Sequence, residues 1–206
     1  MYQPEKYRKN DPDYLFDFIK AHPFATLVLQ GKNLLATHIP VLTKGNSENF
    51  ILYAHIDKNN EQYDVLQDGS QALVIFQGPH AYISSSWYKE PDISTWNYSA
   101  VHVNVNIKMQ SQEELEDSLQ NLVRHFERDQ KNPILYGDLP QKMLTEHLPL
   151  ITGFWMEPLK IQGIAKLHQG FQKEDIHSIT RHLEEQGDTL SSELSKNIKK
   201  EHGTNY

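Results

Sequence analysis

The sequence predicts a mostly β protein with added helices, an antiparallel barrel first and helices chiefly in the C-terminal half. Three observations carry that prediction. Short apolar runs recur from Phe24 onward, separated by the turn signals Gly31-Lys32-Asn33 and Gly45-Asn46-Ser47. Such spacing suits hairpins rather than βαβ crossovers. Val101, Val103, Val105 and Ile107 alternate with His102, Asn104, Asn106 and Lys108, the period of a half-buried strand. Helical periodicity, in contrast, gathers after Ser111.

Each element follows from a local signal. Asp11-Pro12 opens a helix with a cap residue and a first-turn proline, Leu15, Phe18 and Ile19 form its apolar stripe, and His22-Pro23 ends it. Phe24 to Leu29 reads as a strand, Leu34 to Thr43 as a second, and Phe50 to Ala54 as a third. Residues 57–68 are polar, with room for a short helix. Ala72-Leu73-Val74-Ile75-Phe76 is a continuous apolar run, expected to be a strand buried on both faces. Gly78-Pro79 predicts a turn and His80 to Ser84 a further strand. Ser111-Gln112-Glu113-Glu114 is a capping box that launches a helix through Leu115, Leu119, Leu122, Val123 and Phe126. Leu139 to Leu148 is a weaker helix, and Phe154 to Ile161 a strand interrupted by Pro158. Lys173 to Gln186 predicts a helix stopped by Gly187, and the residues after it read as a polar, fraying end.

Composition narrows the class. The chain has 206 residues, enough to bury a core as a single domain. Residues 1–170 are expected to form the barrel domain and 171–206 a helical extension of it. There are no cysteines, so zinc ribbons and thiol nucleophiles are excluded. No apolar run reaches the length of a membrane helix and none opens the chain, so the expected location is the cytoplasm. The net charge of −7 gives no help to a DNA-binding reading.

Several kinds of chemistry are missing. No Gly-x-Gly-x-x-Gly follows a strand, and neither a Walker loop nor a Gly-x-Ser-x-Gly elbow is present. The 11 histidines show no His-Glu-x-x-His pattern, so no metal site is expected. His38, His55, His80 and His102 lie on or beside expected strands, where neighbouring strands would bring some of them to one cavity. Residues 86–98 hold Trp87, Tyr88, Trp96 and Tyr98 around Pro91, much aromatic surface for what reads as a loop.

A resemblance joins these segments. Met-Tyr-x-Pro at the start, Ala36-Thr37-His38-Ile39-Pro40-Val41, Tyr53-Ala54-His55, Phe76 to Ser84, Trp87-Tyr88 and Thr95-Trp96-Asn97-Tyr98 resemble the PaiB family, described as FMN-binding negative transcriptional regulators. The dense part of the match runs from Met1 to about Val103 and continues more loosely to Lys166-Leu167. The resemblance implies an FMN-binding split β-barrel, antiparallel and homodimeric, of the pyridoxamine-phosphate oxidase-like superfamily.

It also implies site residues. Thr37, His38, Ile39 and Pro40 would lie beside the isoalloxazine ring, with backbone groups for its pyrimidine edge. His55 opens the segment expected to reach the phosphate, with Lys58 as a cation and Asn60 as an amide. Ser84, Trp87 and Trp96 complete the cofactor-binding set, the aromatic loop standing at the junction of cofactor and subunits. Departures occur in the same places. Asp57-Lys58-Asn59-Asn60-Glu61-Gln62-Tyr63 stands where the family usually has Ala-Arg-Ala-Asn-Pro-Gln-Trp, and lysine lacks arginine's bidentate fork. Lys166-Leu167-His168-Gln169-Gly170 stands in place of Lys-x-Ser-Gln-Asn.

Three functions remain open on sequence alone. One is the regulator that the resemblance implies, with DNA as a partner by family description only. The second is an FMN-dependent oxidoreductase or haem-processing flavoprotein, with the cofactor carrying the electrons. The third is a binding module that has lost its flavin.

Overall fold

The computed structural model describes residues 1–204 and places eight strands and five α-helices among them. In chain order these are β1 (Arg8–Lys9), α1 (Pro12–Ala21), β2 (Phe24–Gln30), β3 (Leu34–Pro40), β4 (Leu42–Gly45), β5 (Phe50–Asp57), β6 (Gln71–Ile83), β7 (Thr95–Met109), α2 (Gln112–Glu127), α3 (Gln141–His147), β8 (Ile151–Lys166), α4 (Lys173–Glu185) and α5 (Thr189–Glu201). The sheet order is β3-β2-β6-β7-β8-β5-β4, with β1 paired to β8. The chain divides into two compact units. One comprises Met1–Phe18, Gln77–His102 and the segment from Gln162 onward; the other comprises Ile19–Phe76 and Val103–Ile161.

In the second unit, β2 and β3 form a hairpin from Phe24↔Pro40 to Gln30↔Leu34, and β4 pairs with β5. The expected strand from Leu34 to Thr43 is therefore two strands, broken at Val41. Pro40 has no N–H to continue a ladder, and the buried Val41 donates its own to the Pro23 carbonyl at 2.7 Å. That one-residue break matters for topology. β3 and β4 are the two ends of the sheet order, yet only Val41 separates them in the chain. The two end strands are thus joined in the chain through a single buried residue.

The core of this unit is formed by Leu27, Leu52, Val74, Phe76, Phe154 and Met156, all excluded from solvent. Each such side chain contributes about 1.5–3 kcal/mol by leaving water. Leu73 and Ile75 are only half-buried, so the apolar run in β6 alternates instead of being covered on both faces. The capping box is present: Ser111 Oγ accepts from the Glu114 N–H at 3.2 Å, and Glu114 Oε2 accepts from the Ser111 N–H at 2.8 Å.

The predicted turn at Gly78-Pro79 does not occur. β6 runs through it, and Gly78 keeps an ordinary φ. What changes there is the phase. Ala72, Val74 and Phe76 are buried before it, and Ala81 and Ile83 after it, with Gly78 and Pro79 both buried between. Across these two consecutive buried residues the alternation changes phase, from even-numbered to odd-numbered positions. The pairing with β2 ends at Ile75, so Pro79 owes that neighbour no N–H.

In the first unit, α4 and α5 pack Ile176, Ile179, Leu183, Leu194 and Ile198 against Ala81, Ile83, Ala165 and Leu167. Gly187, at φ 75°, ends α4 in the left-handed conformation that glycine tolerates. The expected fraying end is instead the ordered helix α5. Asp188 caps it by accepting from the Ser191 N–H at 2.9 Å, and Leu194 and Ile198 lie four apart on its inner face. The second half of the aromatic stretch is also strand, since β7 begins at Thr95. No helix of the described residues is long and apolar enough to cross a membrane.

Candidate functional site

Seven of the residues singled out by sequence lie in the second unit. The N–H of Val41 donates to the carbonyl of Pro23, which extends the β2–β3 register by one step. Residues two apart in an antiparallel ladder share a hydrogen-bonding direction. Ile39, Thr37 and Leu35 therefore face β2, while Ala36, His38 and Pro40 turn their backbone groups away from it. β3 ends the sheet order, so this outer side has no neighbouring strand. The open edge offers N–H donors at Ala36 and His38 and carbonyl acceptors at all three. Pro40 fits a position where no donor to β2 is needed.

The side chains sort by face. His38 is exposed, with Nδ1 2.9 Å from Thr26 Oγ1 and its ring 6.1 Å from that of Phe24. Thr37 and Ile39 point to the other face, where Ile39 is buried. There Asn60 Nδ2 donates to Thr37 Oγ1 at 2.9 Å, and Asn60 Oδ1 accepts from the Gln62 N–H at 2.9 Å. The structure thus joins Thr37 to Asn60 across the sequence. Gln62, which sequence reasoning passed over, is fully buried and donates its Nε2 to the carbonyls of Leu27 and Leu35 at 3.0 and 2.9 Å. It ties the polar turn to the β2–β3 hairpin. A glutamine in a polar stretch gives no sequence signal for such a role.

Lys58 is exposed, and its Nζ donates to the Pro149 carbonyl at 2.8 Å. An ammonium has three donors, so two remain. Asp57 Oδ1 accepts from both the N–H and the Nδ2 of Asn59, at 2.7 and 2.8 Å. Asp57, one of the two carboxylates that break the family pattern, is thereby engaged within its own turn; Glu61, the other, is exposed. His55 is half-buried, opposite Gly153 in the β5–β8 register, and burial holds its pKa below the ordinary value.

The remaining three lie in the first unit. Ser84 accepts from the Ser86 N–H at 3.2 Å and meets its hydroxyl at 2.8 Å, capping a short turn. Trp87 stacks flat on His182, with centroids 5.0 Å apart and planes at 8°. Trp96 is half-exposed; its Nε1 donates to His80 Nδ1 at 3.2 Å, and its ring lies 6.2 Å from Tyr82. The two tryptophans therefore have different partners within this unit. His182 was not anticipated in any role. No cluster of three His, Asp or Glu side chains suited to a metal occurs among the described residues.

The comparisons with known proteins now bear on this arrangement. Residues 1–158 match the family model described as "Putative FMN-binding domain". The chain belongs to that FMN-binding family. It is 31% identical over 198 residues to the Protease synthase and sporulation protein PAI 2 of Bacillus subtilis (strain 168), covering 95% of each chain. The PaiB resemblance read from the motifs is thus shown by most of the chain. Among solved structures, the FAD and heme binding protein from Mycobacterium smegmatis is similar at a TM-score of 0.58 and 14% identity, covering 84% of this chain and 80% of that one. The flavocytochrome Anf3 from Azotobacter vinelandii is similar at 0.60 and 12%, covering 86% and 78%. At such identities the likeness is one of fold, and the fold is the split β-barrel.

FMN is the family's cofactor and this chain's, and the residues present suit its chemistry. The open edge of β3 alternates acceptors and donors, as the pyrimidine edge of a flavin requires. The Lys58–Asn60 turn supplies a cation and an amide for a phosphate, with its own acid already hydrogen-bonded.

Proposed function

We propose that FMN is held along the outer edge of β3, with backbone groups of Ala36, His38 and Pro40 toward the ring and Lys58 and Asn60 toward the phosphate. The observation that supports this best is the Thr37–Asn60 hydrogen bond. It couples the strand that offers ring-edge groups to the turn that offers phosphate donors. Thr37 and Ile39 act as positioning residues on the inner face. His55, half-buried and neutral, adds a polar group without adding charge beside a dianion. When bound, FMN supplies one- and two-electron transfer. The protein's part is to orient it and to exclude water.

The active form in this reading is a homodimer. Trp96 and Tyr82 are exposed large aromatics with their rings tilted at 57° to each other, beside His80 in the first unit. Aromatic patches of this kind are enriched at the centres of subunit contacts. The cellular role in this reading is regulatory, as the PaiB resemblance implies; the Bacillus subtilis relative is named for protease synthase and sporulation. With a net charge of −7, regulation through a protein partner is favoured over tight DNA contact.

The test is direct. Purified protein should be yellow, release FMN on denaturation and run as a dimer in light scattering. Lys58→Glu should lower FMN retention through repulsion of the phosphate. Colourless protein that fails to retain added FMN would overturn the cofactor placement, and a clean monomer would overturn the dimer. A gel shift on its own promoter that vanishes with salt would revive direct DNA contact.

A further inference from the structure

Gln62 is fully buried within the turn proposed for the phosphate, and its two donors point in opposite directions. The backbone N–H goes outward, to Asn60 Oδ1 at 2.9 Å. The side-chain Nε2 goes inward, to the carbonyls of Leu27 and Leu35 at 3.0 and 2.9 Å. Leu27 stands opposite Thr37 and Leu35 opposite Leu29 in the β2–β3 register. Both carbonyls thus belong to the hairpin, and the amide takes only a second lone pair from each. They also decide which way the amide faces, because an oxygen in that place would meet two oxygens. Gln62 Oε1 is left buried without a partner. A buried amide with one end unmet stabilises a core poorly, and an apolar side chain would fill the same space at less cost. What the glutamine supplies is geometry.

That geometry passes to Asn60. Its Oδ1 accepts from the Gln62 N–H and, at 3.3 Å, from the Thr37 hydroxyl, while its Nδ2 donates to Thr37 Oγ1. Its backbone is held as well, the N–H by the Asp57 carbonyl at 3.0 Å and the carbonyl by the Tyr63 N–H at 2.9 Å. With both lone pairs of Oδ1 taken, this half-buried amide keeps one hydrogen on Nδ2 and no acceptor. Lys58, two residues earlier, also offers donors alone, and its exposed ammonium gives one of three to the Pro149 carbonyl. The turn therefore suits a group that only accepts. A phosphate dianion is such a group. A hydroxyl, which must also place its own proton, is not.

We propose that Gln62 is a positioning residue for cofactor choice. By anchoring the turn to the β2–β3 hairpin, it holds Asn60 and Lys58 as donors before a ligand arrives, and so sets a preference for a phosphorylated flavin over one that ends in a hydroxyl. The inference rests on the placement of the FMN phosphate at this turn, and it requires no contact between Gln62 and the ligand.

The test compares FMN with riboflavin, each titrated into flavin-free full-length protein and followed by flavin fluorescence. Gln62→Met keeps an unbranched, well-packing side chain and removes the inward donor. It should lower FMN affinity about tenfold, the weight of one charge-assisted hydrogen bond, and leave riboflavin affinity unchanged. A glutamine with a structural role alone would weaken both ligands alike; that result overturns the proposal, as does an unchanged ratio of the two affinities. Lys58→Ala serves as the control for the site and should lower the ratio at least as far. If Lys58→Ala lowers it and Gln62→Met does not, the role of Gln62 is refuted while the phosphate placement stands. If Lys58→Ala leaves the ratio intact, the placement itself fails and takes the proposal with it. Should Gln62→Met not fold, Thr37→Val breaks the same chain of bonds at its far end. It should reduce the ratio too, and an unaltered ratio there also overturns the proposal.

Discussion

Two asparagines, one in each unit, show how differently a single amide can be kept. Asn60 sits half-buried in a turn, with its Oδ1 engaged by Gln62 and its Nδ2 by Thr37. Asn97 is fully buried, with one end on His168 and the other without a partner. The first lies where water already competes, so exchanging water for a ligand oxygen there costs little. The second lies where water is excluded, so every unmet bond weighs on the fold until something meets it. Changes near Asn97 should therefore be read in stability, and changes near Asn60 in ligand retention.

The largest expected effect tests the packed side of that contrast. Leu194→Ala removes a fully buried side chain from between α4 and α5. It should cost about 2–5 kcal/mol in denaturant unfolding. A loss under about 1 kcal/mol would mean that this interior is loosely packed and would break the comparison.

Acid should act on the same region. The folded His168 pKa is about 4, against 6.5 for an ordinary histidine. Between those values the unfolded chain holds the extra proton, so stability present above pH 6.5 is lost as pH falls toward 4. Each unit is worth about 1.4 kcal/mol, giving a total near ~3 kcal/mol. His168 holds a φ of 61°, which asparagine tolerates, so His168→Asn should fold and show a flatter stability curve between neutral and acid pH. An unchanged curve would assign the acid sensitivity elsewhere.

Smaller effects are expected in the other unit. Asn60→Ala removes a cap and the Thr37 bond, and should cost about 1 kcal/mol while lowering FMN retention. Lys58→Ala should change stability by less than about 0.5 kcal/mol, because the side chain is exposed. Its FMN retention should nevertheless fall. If thermal unfolding of flavin-free Lys58→Ala shifted more than that of Asn60→Ala, the turn would be structural first and the contrast would blur.

Much of this fold is readable from residues. The hairpin turns, the capping box at Ser111 and the stop at Gly187 act through neighbours in sequence, so their signals are local. The failures share a cause. Gly78-Pro79 has the composition of a turn, but the sheet overrides it and converts it to a change of phase. α5 looks polar because only Leu194, Ile198 and two buried serines face inward; Ser195 hides by donating to the Thr180 carbonyl at 3.2 Å. Four of the candidate FMN residues, Thr37 to Pro40, form a continuous run in the sequence. Only the register with β2 divides them into outward backbone groups and inward side chains. His168 stood out merely as a departure from a family pattern. Its partners Tyr88 and Asn97 are far away in sequence, and nothing local announces the hydrogen bonds they make.

The outer edge of β3 has one more consequence. Exposed strand edges recruit other strands, and chains that carry them are prone to stick to one another. Here the row of outward donors ends at Pro40, which has none, and the next N–H, on Val41, is turned inward to Pro23. A foreign strand would find its ladder cut off after His38, whereas a single flat heterocycle spans no more than the donors that remain. The proline that shapes the edge for a small ring is also what keeps one molecule from zipping onto the next.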